Sequence, residues 1–345
     1  MKYNVEVLKK YLNDILTTPS PTGFTHNVIN YIKNELDSLK VPYEITNKGA
    51  LIATLKGKND DYAKTYSAHV DTLGAMVKSI KGNGAIELSP VGGYMMNSIE
   101  GENCLIHTSE NKVYSATIQT IKPSVHISPD CGDVKRVKEN MEVIIDEKVS
   151  SVEDVKKLGI EVGDFISFDS RTRITESGFV KSRHLDDKAS VSILLSAIRH
   201  IVENKLELPH TIHFYISNYE EVGHGAASRI PANTVEFIAV DMGCPGLTQN
   251  STEYDVCICA KDSRGPYDFE LKNTLVNLCK RESIPYKIDI YPSYGSDASA
   301  ALGSGNDVKT ALIGAGIFAS HGYERTHLDS VLATLDLVVK YSCEK

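Results

Sequence analysis

Imidazoles and carboxylates recur in this chain at places where a fold can bring them together. His69 and Asp71 stand where the predicted strand Tyr66–Val70 ends, and Glu220-Glu221 directly follow the predicted strand His210–Ser217. Asp241 closes the apolar stretch Glu236–Val240, His321 lies just beyond the run Thr310–Phe318, and Asp186-Asp187 immediately precede a predicted helix. Each has an ordinary structural use as well. Asp187 is suited to cap a helix, Asp71 and Asp241 to turns before Gly74 and Gly243, and Glu220-Glu221 to a solvated loop. Four strand ends loaded with His and carboxylate are harder to explain together by turns, because open α/β sheets collect ligands at the carboxyl ends of their strands. Two His with three carboxylates make a donor set suited to zinc, cobalt or manganese.

The elements that must position these groups follow from periodicity. Val5, Leu8, Leu12 and Ile15 have helical spacing, as do Val28, Ile29, Ile32, Leu36 and Leu39, with the breaker Thr17–Gly23 between them. Asn47-Lys48-Gly49 reads as a hairpin turn before apolar segments at Leu51–Leu55 and Tyr66–Val70. From residue 73 to 182 the texture changes to short β-like stretches (Ala75–Ile80, Ala85–Leu88, Val113–Ile118, Phe165–Phe168) between Gly, Ser, Asn and Pro turns, with one helical stretch at Val152–Leu158. After Arg183 the α/β rhythm returns: helix Lys188–Val202, strands His210–Ser217 and Glu236–Val240, helix Phe269–Arg281, strands Tyr286–Tyr291 and Val308–Ile313, helix Ser330–Tyr341. The expected fold is therefore α/β, a sheet-and-helix domain of residues 1–72 and 183–345 interrupted by an inserted all-β domain, 73–182.

Composition narrows the function. The 345 residues carry 37 Lys+Arg against 45 Asp+Glu, a net charge of −8, and neither a basic stripe nor a basic domain, so no nucleic-acid partner is expected. No apolar run reaches the roughly 18 residues of a membrane span, and the start MKYNVEVLKK lacks the apolar stretch of a signal peptide. Seven scattered cysteines with no CxxC argue against a zinc ribbon and a disulfide framework, so a reduced, cytoplasmic protein is expected.

Taken in order, Tyr66-Ser67-Ala68-His69-Val70-Asp71, Leu185-Asp186-Asp187-Lys188, Glu220-Glu221-Val222-Gly223, Val240-Asp241 and His321 resemble the M42 family of dinuclear metallo-aminopeptidases, the glutamyl and deblocking type that includes the tetrahedral TET peptidases. The resemblance spans nearly the whole chain, including the β insertion, Glu161-Val162-Gly163-Asp164 ahead of the second motif, and Gly295-Ser296-Asp297-Ala298. Thr72 and Lys188 depart from the family's usual Glu and Arg, and Ala319-Ser320 from its Arg-Tyr before the last histidine. His327 is the alternative last ligand, although its use would require a shorter path into the final helix.

What the resemblance implies is specific. Asp186 would bridge two divalent metals, zinc or cobalt with manganese also suited. Glu221 and His321 would complete one position, and His69 and Asp241 the other. Asp71 would be the carboxylate that orients the His69 imidazole. Glu220, beside the metals and not consumed as a ligand, would be the general base of an aminopeptidase acting on peptides. A homo-oligomer larger than a dimer is implied, with a dodecamer as one form. The enzymatic rival is a related deacylase or carboxypeptidase, but M20-type enzymes usually carry their extra domain after the base motif, whereas here the β insertion precedes Glu220. A silent binding protein on the same fold would have lost Glu220 or Asp186, and both are present. A glycosidase has no use for this metal-binding set. Arg264 and Lys261 offer a cation to an acidic side-chain pocket, or else lie in a solvated loop.

Overall fold

The protein is described by a computed structural model over residues 3–345. Among these residues a nine-stranded sheet runs in the order Tyr43–Ile45, Leu51–Leu55, His210–Ser217, Asn59–His69, Thr234–Gly243, Lys309–Gly316, Val256–Asp262, Gly265–Pro266, with Tyr286–Ile290 also paired to Val256–Asp262. Its middle is parallel: His210–Ser217, Asn59–His69, Thr234–Gly243 and Lys309–Gly316 point the same way. Such strands are covered on both faces, and every residue of Thr211–Ser217 is buried. The register pairs Ser217 with His69, Ala239 with Ser67, and Asp241 with Gly314. All four carboxyl ends therefore open on one edge; Asp241 stands in the last residues of its strand, and the segments that leave the edge carry Glu220-Glu221, Asp71 and His321.

Helices cover the sheet. Leu185–Glu203 is buried over nearly its whole length, and Val5–Thr17, His26–Leu39, Phe269–Glu282 and Leu328–Ser342 each bury an apolar stripe in the same core. Serines on Leu185–Glu203 satisfy themselves inside that core: Ser192 Oγ donates to the Lys188 carbonyl, and Ser190 Oγ donates to the Asp241 carbonyl at 2.7 Å, tying the helix to the strand edge.

Between residues 74 and 168 the chain closes a separate barrel from Gly74–Ile80, Ile86–Val91, Met141–Ile145, Val113–Thr120, Asn103–His107 and Phe165–Phe168. Alternate residues point inward (Ala75 and Val77, Cys104 and Ile106, Ala116 and Ile118, Met141 and Val143) and make their own apolar cluster. The strands Asn103–His107 and Met141–Ile145 were not among those expected from the sequence. Phe179–Ser182, which the expected division places in the insertion, pairs instead with Glu324–His327 from the far end of the chain. No helix of the described residues is long and apolar enough to cross a membrane.

Candidate metal centre

At the carboxyl edge of the sheet, two imidazoles face each other across Asp186. Asp186 Oδ1 lies 3.2 Å from His69 Nε2, and its Oδ2 lies 3.3 Å from His321 Nε2. Glu220 Oε2 is 3.6 Å from His69 Nε2, and Glu221 Oε2 is 3.6 Å from His321 Nε2. Ligand atoms of His69, Asp186 and Glu221 fall within 4.8 Å of one another, as do those of His69, Asp187 and Asp241. Asp187, whose ordinary use from sequence is a helix cap, is instead fully buried, and its Oδ2 accepts the His69 N–H at 3.0 Å.

Local backbone explains the placement. Asp186 and Asp187 are joined by a cis peptide bond at the head of the buried helix. Glu220–Val222 form one tight turn between Tyr219 and Gly223, both left-handed. The Asp71 carboxylate holds that turn: it accepts the N–H of Glu220 at 3.1 Å and of Glu221 at 3.3 Å, and the Thr22 hydroxyl at 2.7 Å. The His69 imidazole is held by the Asp71 backbone carbonyl, 2.9 Å from Nδ1, whereas the carboxylate stands at 3.6 Å. His321 adopts φ 62° in a turn with Ala319 at 60°, a conformation rare outside glycine and common at functional sites. His327 is turned away, with Nε2 2.8 Å from the Ser177 carbonyl and Nδ1 accepting the Asp329 N–H, so it is His321 that reaches the cluster.

Sequence reasoning did not single out three further groups. Glu324 accepts the N–H of His321 at 3.0 Å and of Asp186 at 3.1 Å. The Tyr294 hydroxyl donates to Asp241 at 2.7 Å. Asp297, noted only within the Gly295–Ala298 segment, accepts the Ser217 hydroxyl at 2.5 Å and the Ala226 N–H at 2.8 Å, bracing the strand end and loop around Glu220-Glu221. A carboxylate three residues after a histidine has no sequence signature of its own, which is why Glu324 stayed silent.

The electrostatics are those of an uncompensated acidic site. Burial, with the charge of neighbouring carboxylates, pushes Glu220, Glu221 and Asp187 well above the usual carboxylate range. Burial and Asp186 raise Asp241 to about 7. Burial also opposes ionisation of Asp186, yet hydrogen bonds from His321 and His69 hold it below the usual range. Burial opposes protonation of His321, but its hydrogen bond to Asp186 lifts it to about 10. Among the described residues no Lys or Arg pairs with any of these five carboxylates, and Glu221 Oε1 and Asp187 Oδ1 are buried without a partner. Buried carboxylates in this state call for a cation. Asp186, Glu220, Glu221, Asp241 and His321 line a cleft of about 750 Å³, walled on one side by Gly93, Tyr94 and Met95 of the barrel. A second cleft of about 600 Å³ meets it at Glu220 and contains Asp262, Arg264, Tyr267 and Ser296.

A family model described as M42 glutamyl aminopeptidase matches residues 49–337. The chain belongs to the M42 peptidase family. YhfE of Bacillus subtilis (strain 168), which carries the provisional name of an aminopeptidase, is 51% identical over 338 residues and covers 98% of both chains. In fold this M42 member is similar to a TET aminopeptidase of Thaumarchaeota archaeon SCGC AB-539-E09, with a TM-score of 0.88 at 18% identity over 98% of this chain and 97% of that one. It is similar also to the TET1 peptidase of Pyrococcus horikoshii, with a TM-score of 0.86 at 22% identity over 98% and 100%, a protein described as assembling into a tetrahedron or a large octahedral shell. M42 enzymes are metal-dependent aminopeptidases, hence hydrolases, and the cluster around Asp186 is where this chain has the donors for a metal.

Proposed function

We propose that this M42 member removes N-terminal residues from peptides by hydrolysis at a pair of divalent metal ions held around Asp186. The observation that carries the reading is the cluster of five carboxylates and two imidazoles, largely buried apart from His321 and with no Lys or Arg partner among the described residues, opening onto two clefts. Asp186 presents one oxygen toward each imidazole, which suits a bridging carboxylate. His69 and Asp241 would hold one ion, and Glu221 and His321 the other. Bare carboxylate oxygens on Glu221 and Asp187 fit that use. Mixed imidazole and carboxylate donors suit zinc or cobalt, with manganese also accommodated. Such ions supply Lewis acidity and make water ionise near neutral pH.

The chain's own groups do the rest. Glu220 is the general base: its side chain keeps 17% exposure at the junction of both clefts, beside His69 and outside the proposed ligand set. It takes the proton of the attacking water and returns it to the leaving amine. Asp71 holds Glu220 at its post through the backbone. The substrate's first side chain enters the second cleft, where Arg264 favours an acidic group. Residues 74–168 act as an inserted β domain that walls the catalytic cleft, with the remainder of the chain as the peptidase domain. The protein works in the cytoplasm, consistent with its seven unpaired cysteines, and as a homo-oligomer larger than a dimer.

Metal analysis together with paired substrates tests the reading. Two equivalents of divalent ion per chain and cleavage of aminoacyl anilides with a free amine are expected. Hydrolysis confined to N-acylated amino acids would make the protein a deacylase instead.

A further inference from the structure

Two halves of the cluster are held in different ways. His69 is enclosed, with its side chain 2% exposed, and the sheet and the Asp71 carbonyl fix its ring. His321 is 39% exposed on a left-handed turn, so packing does not fix its ring; contacts from outside its own segment must. Within that segment Glu324 holds only the backbone, through the His321 N–H. The ring contact comes from the barrel side. The Gly93 carbonyl lies 2.5 Å from His321 Nδ1, which leaves Nε2 free to face Asp186. The same two segments are also joined by Arg183, a residue 3% exposed and just ahead of the Asp186 segment. Its Nε donates to Glu102 Oε2 at 2.8 Å, its Nη1 to the Gly322 carbonyl at 3.3 Å, and its Nη2 to the Ser98 carbonyl. Glu102 is 4% exposed and also meets Arg171 at 3.0 Å. One guanidinium thus joins the segment between the barrel strands Ile86–Val91 and Asn103–His107 to the residue that follows His321.

We propose that Arg183, oriented by Glu102, is a positioning residue that docks the barrel segment 93–102 against the His321 turn and so sets the affinity of the metal position formed by Glu221 and His321, leaving that of His69 and Asp241 unchanged. This rests on the two-metal reading above. Arginine suits the task because its planar fork serves a carboxylate and two carbonyls at once, which a lysine cannot do. Groups that orient metal ligands in this way commonly govern affinity by roughly 10–100-fold.

The test is zinc retained per chain against buffered free zinc, measured on the full-length protein with circular dichroism as a check on folding. Wild type is expected to hold two ions. In Arg183→Lys, which keeps the charge opposite Glu102 but cannot span three acceptors, one ion should bind roughly 10–100-fold more weakly and the other normally. Glu102→Gln should behave alike. Should the Arg183 charge left alone by Glu102→Gln prevent folding, the double variant Glu102→Met with Arg183→Met removes both charges and still lacks the Gly322 contact, so it should fold and show the same single weakened site. In a His321→Ala background, which has lost that site already, Arg183→Lys should change nothing further. Folded variants that hold two ions at wild-type affinity, or that weaken both equally, would overturn the proposal. A wild type that never binds two ions would instead sink the metal reading itself.

Discussion

Glu220 and Glu221 are chain neighbours with different surroundings, and the difference can be measured. Glu220 is beside His69 and reaches both clefts; Glu221 is beside His321 with one oxygen bare and only 4% of its side chain exposed. Glu220→Gln is expected to keep both metals and bind substrate while turnover falls roughly 10²–10⁴-fold, since an amide keeps the shape but cannot accept the water's proton. Glu221→Gln should lose or weaken one metal, because a neutral amide is a poorer ligand than a carboxylate. Metal stoichiometry separates the two where activity alone cannot, and an exchange of outcomes would exchange the roles. Arg264 is the other residue whose contribution can be isolated. Arg264 lines the second cleft, and the neighbouring Asp262 is already engaged by the Arg264 and Gly265 N–H groups and the Tyr267 hydroxyl. Arg264→Ala should lower kcat/KM for a glutamyl anilide by roughly tenfold or more relative to a leucyl anilide, the scale of one charge-assisted hydrogen bond. An unchanged ratio would place the first side chain elsewhere.

The site depends most at the scale of elements on the parallel strands staying close at their carboxyl ends. Gly314 pairs with Asp241, and a Cβ built there would stand 2.0 Å from the Asp241 carbonyl oxygen and 2.8 Å from the Met242 Cα. Those are backbone atoms of the neighbouring strand, so nothing can rotate aside. Gly314→Ala should therefore cost about 3 kcal/mol or more, the upper range for overpacking, and displace Asp241. Thermal unfolding measures the first effect and metal stoichiometry the second; a wild-type midpoint would show that the strands can part at no cost. Periodicity foretold this layer well where the pattern was strong. Lys188–Val202 lies within the observed helix Leu185–Glu203, and His210–Ser217 matches its observed strand. It missed Val256–Asp262 and Asp297–Gly303, short elements whose identity depends on what they pack against.

For the whole molecule, the junction between barrel and sheet domain carries a pH-dependent contribution. His107 of the barrel strand Asn103–His107 is buried, with Nε2 2.8 Å from Ser167 Oγ and its ring 4.7 Å from that of Phe24. Burial, and then the nearby charge of His26, depress it to about 4. The unfolded chain, with histidine near 6.5, then binds the proton that the folded chain refuses. The stabilising contribution is full above about 6.5 and is lost as pH falls toward 4, at most about 3 kcal/mol in all. His107→Gln should flatten the urea midpoint between pH 4 and 6.5; a slope equal to wild type would assign the acid sensitivity to other groups. Light scattering addresses assembly, with a mass well above the dimer expected and about 38 kDa, the 37.9 kDa of one chain, the result that would end the idea. The sequence by itself determined the α/β rhythm, the change of texture from residue 73 to 182, and the order of the His and carboxylate motifs, because periodicity and residue type are local properties. Tertiary structure alone decided which of these groups meet. The parallel register brings His69, Asp241 and the Glu220 turn to one edge, and a left-handed turn presents His321 where His327 caps a helix. Glu324 and Arg183 were invisible until the fold closed around them, since the work of a buried polar group is written in its partners, here Asp186, Glu102 and the Gly322 and Ser98 carbonyls, more than in its neighbours along the sequence.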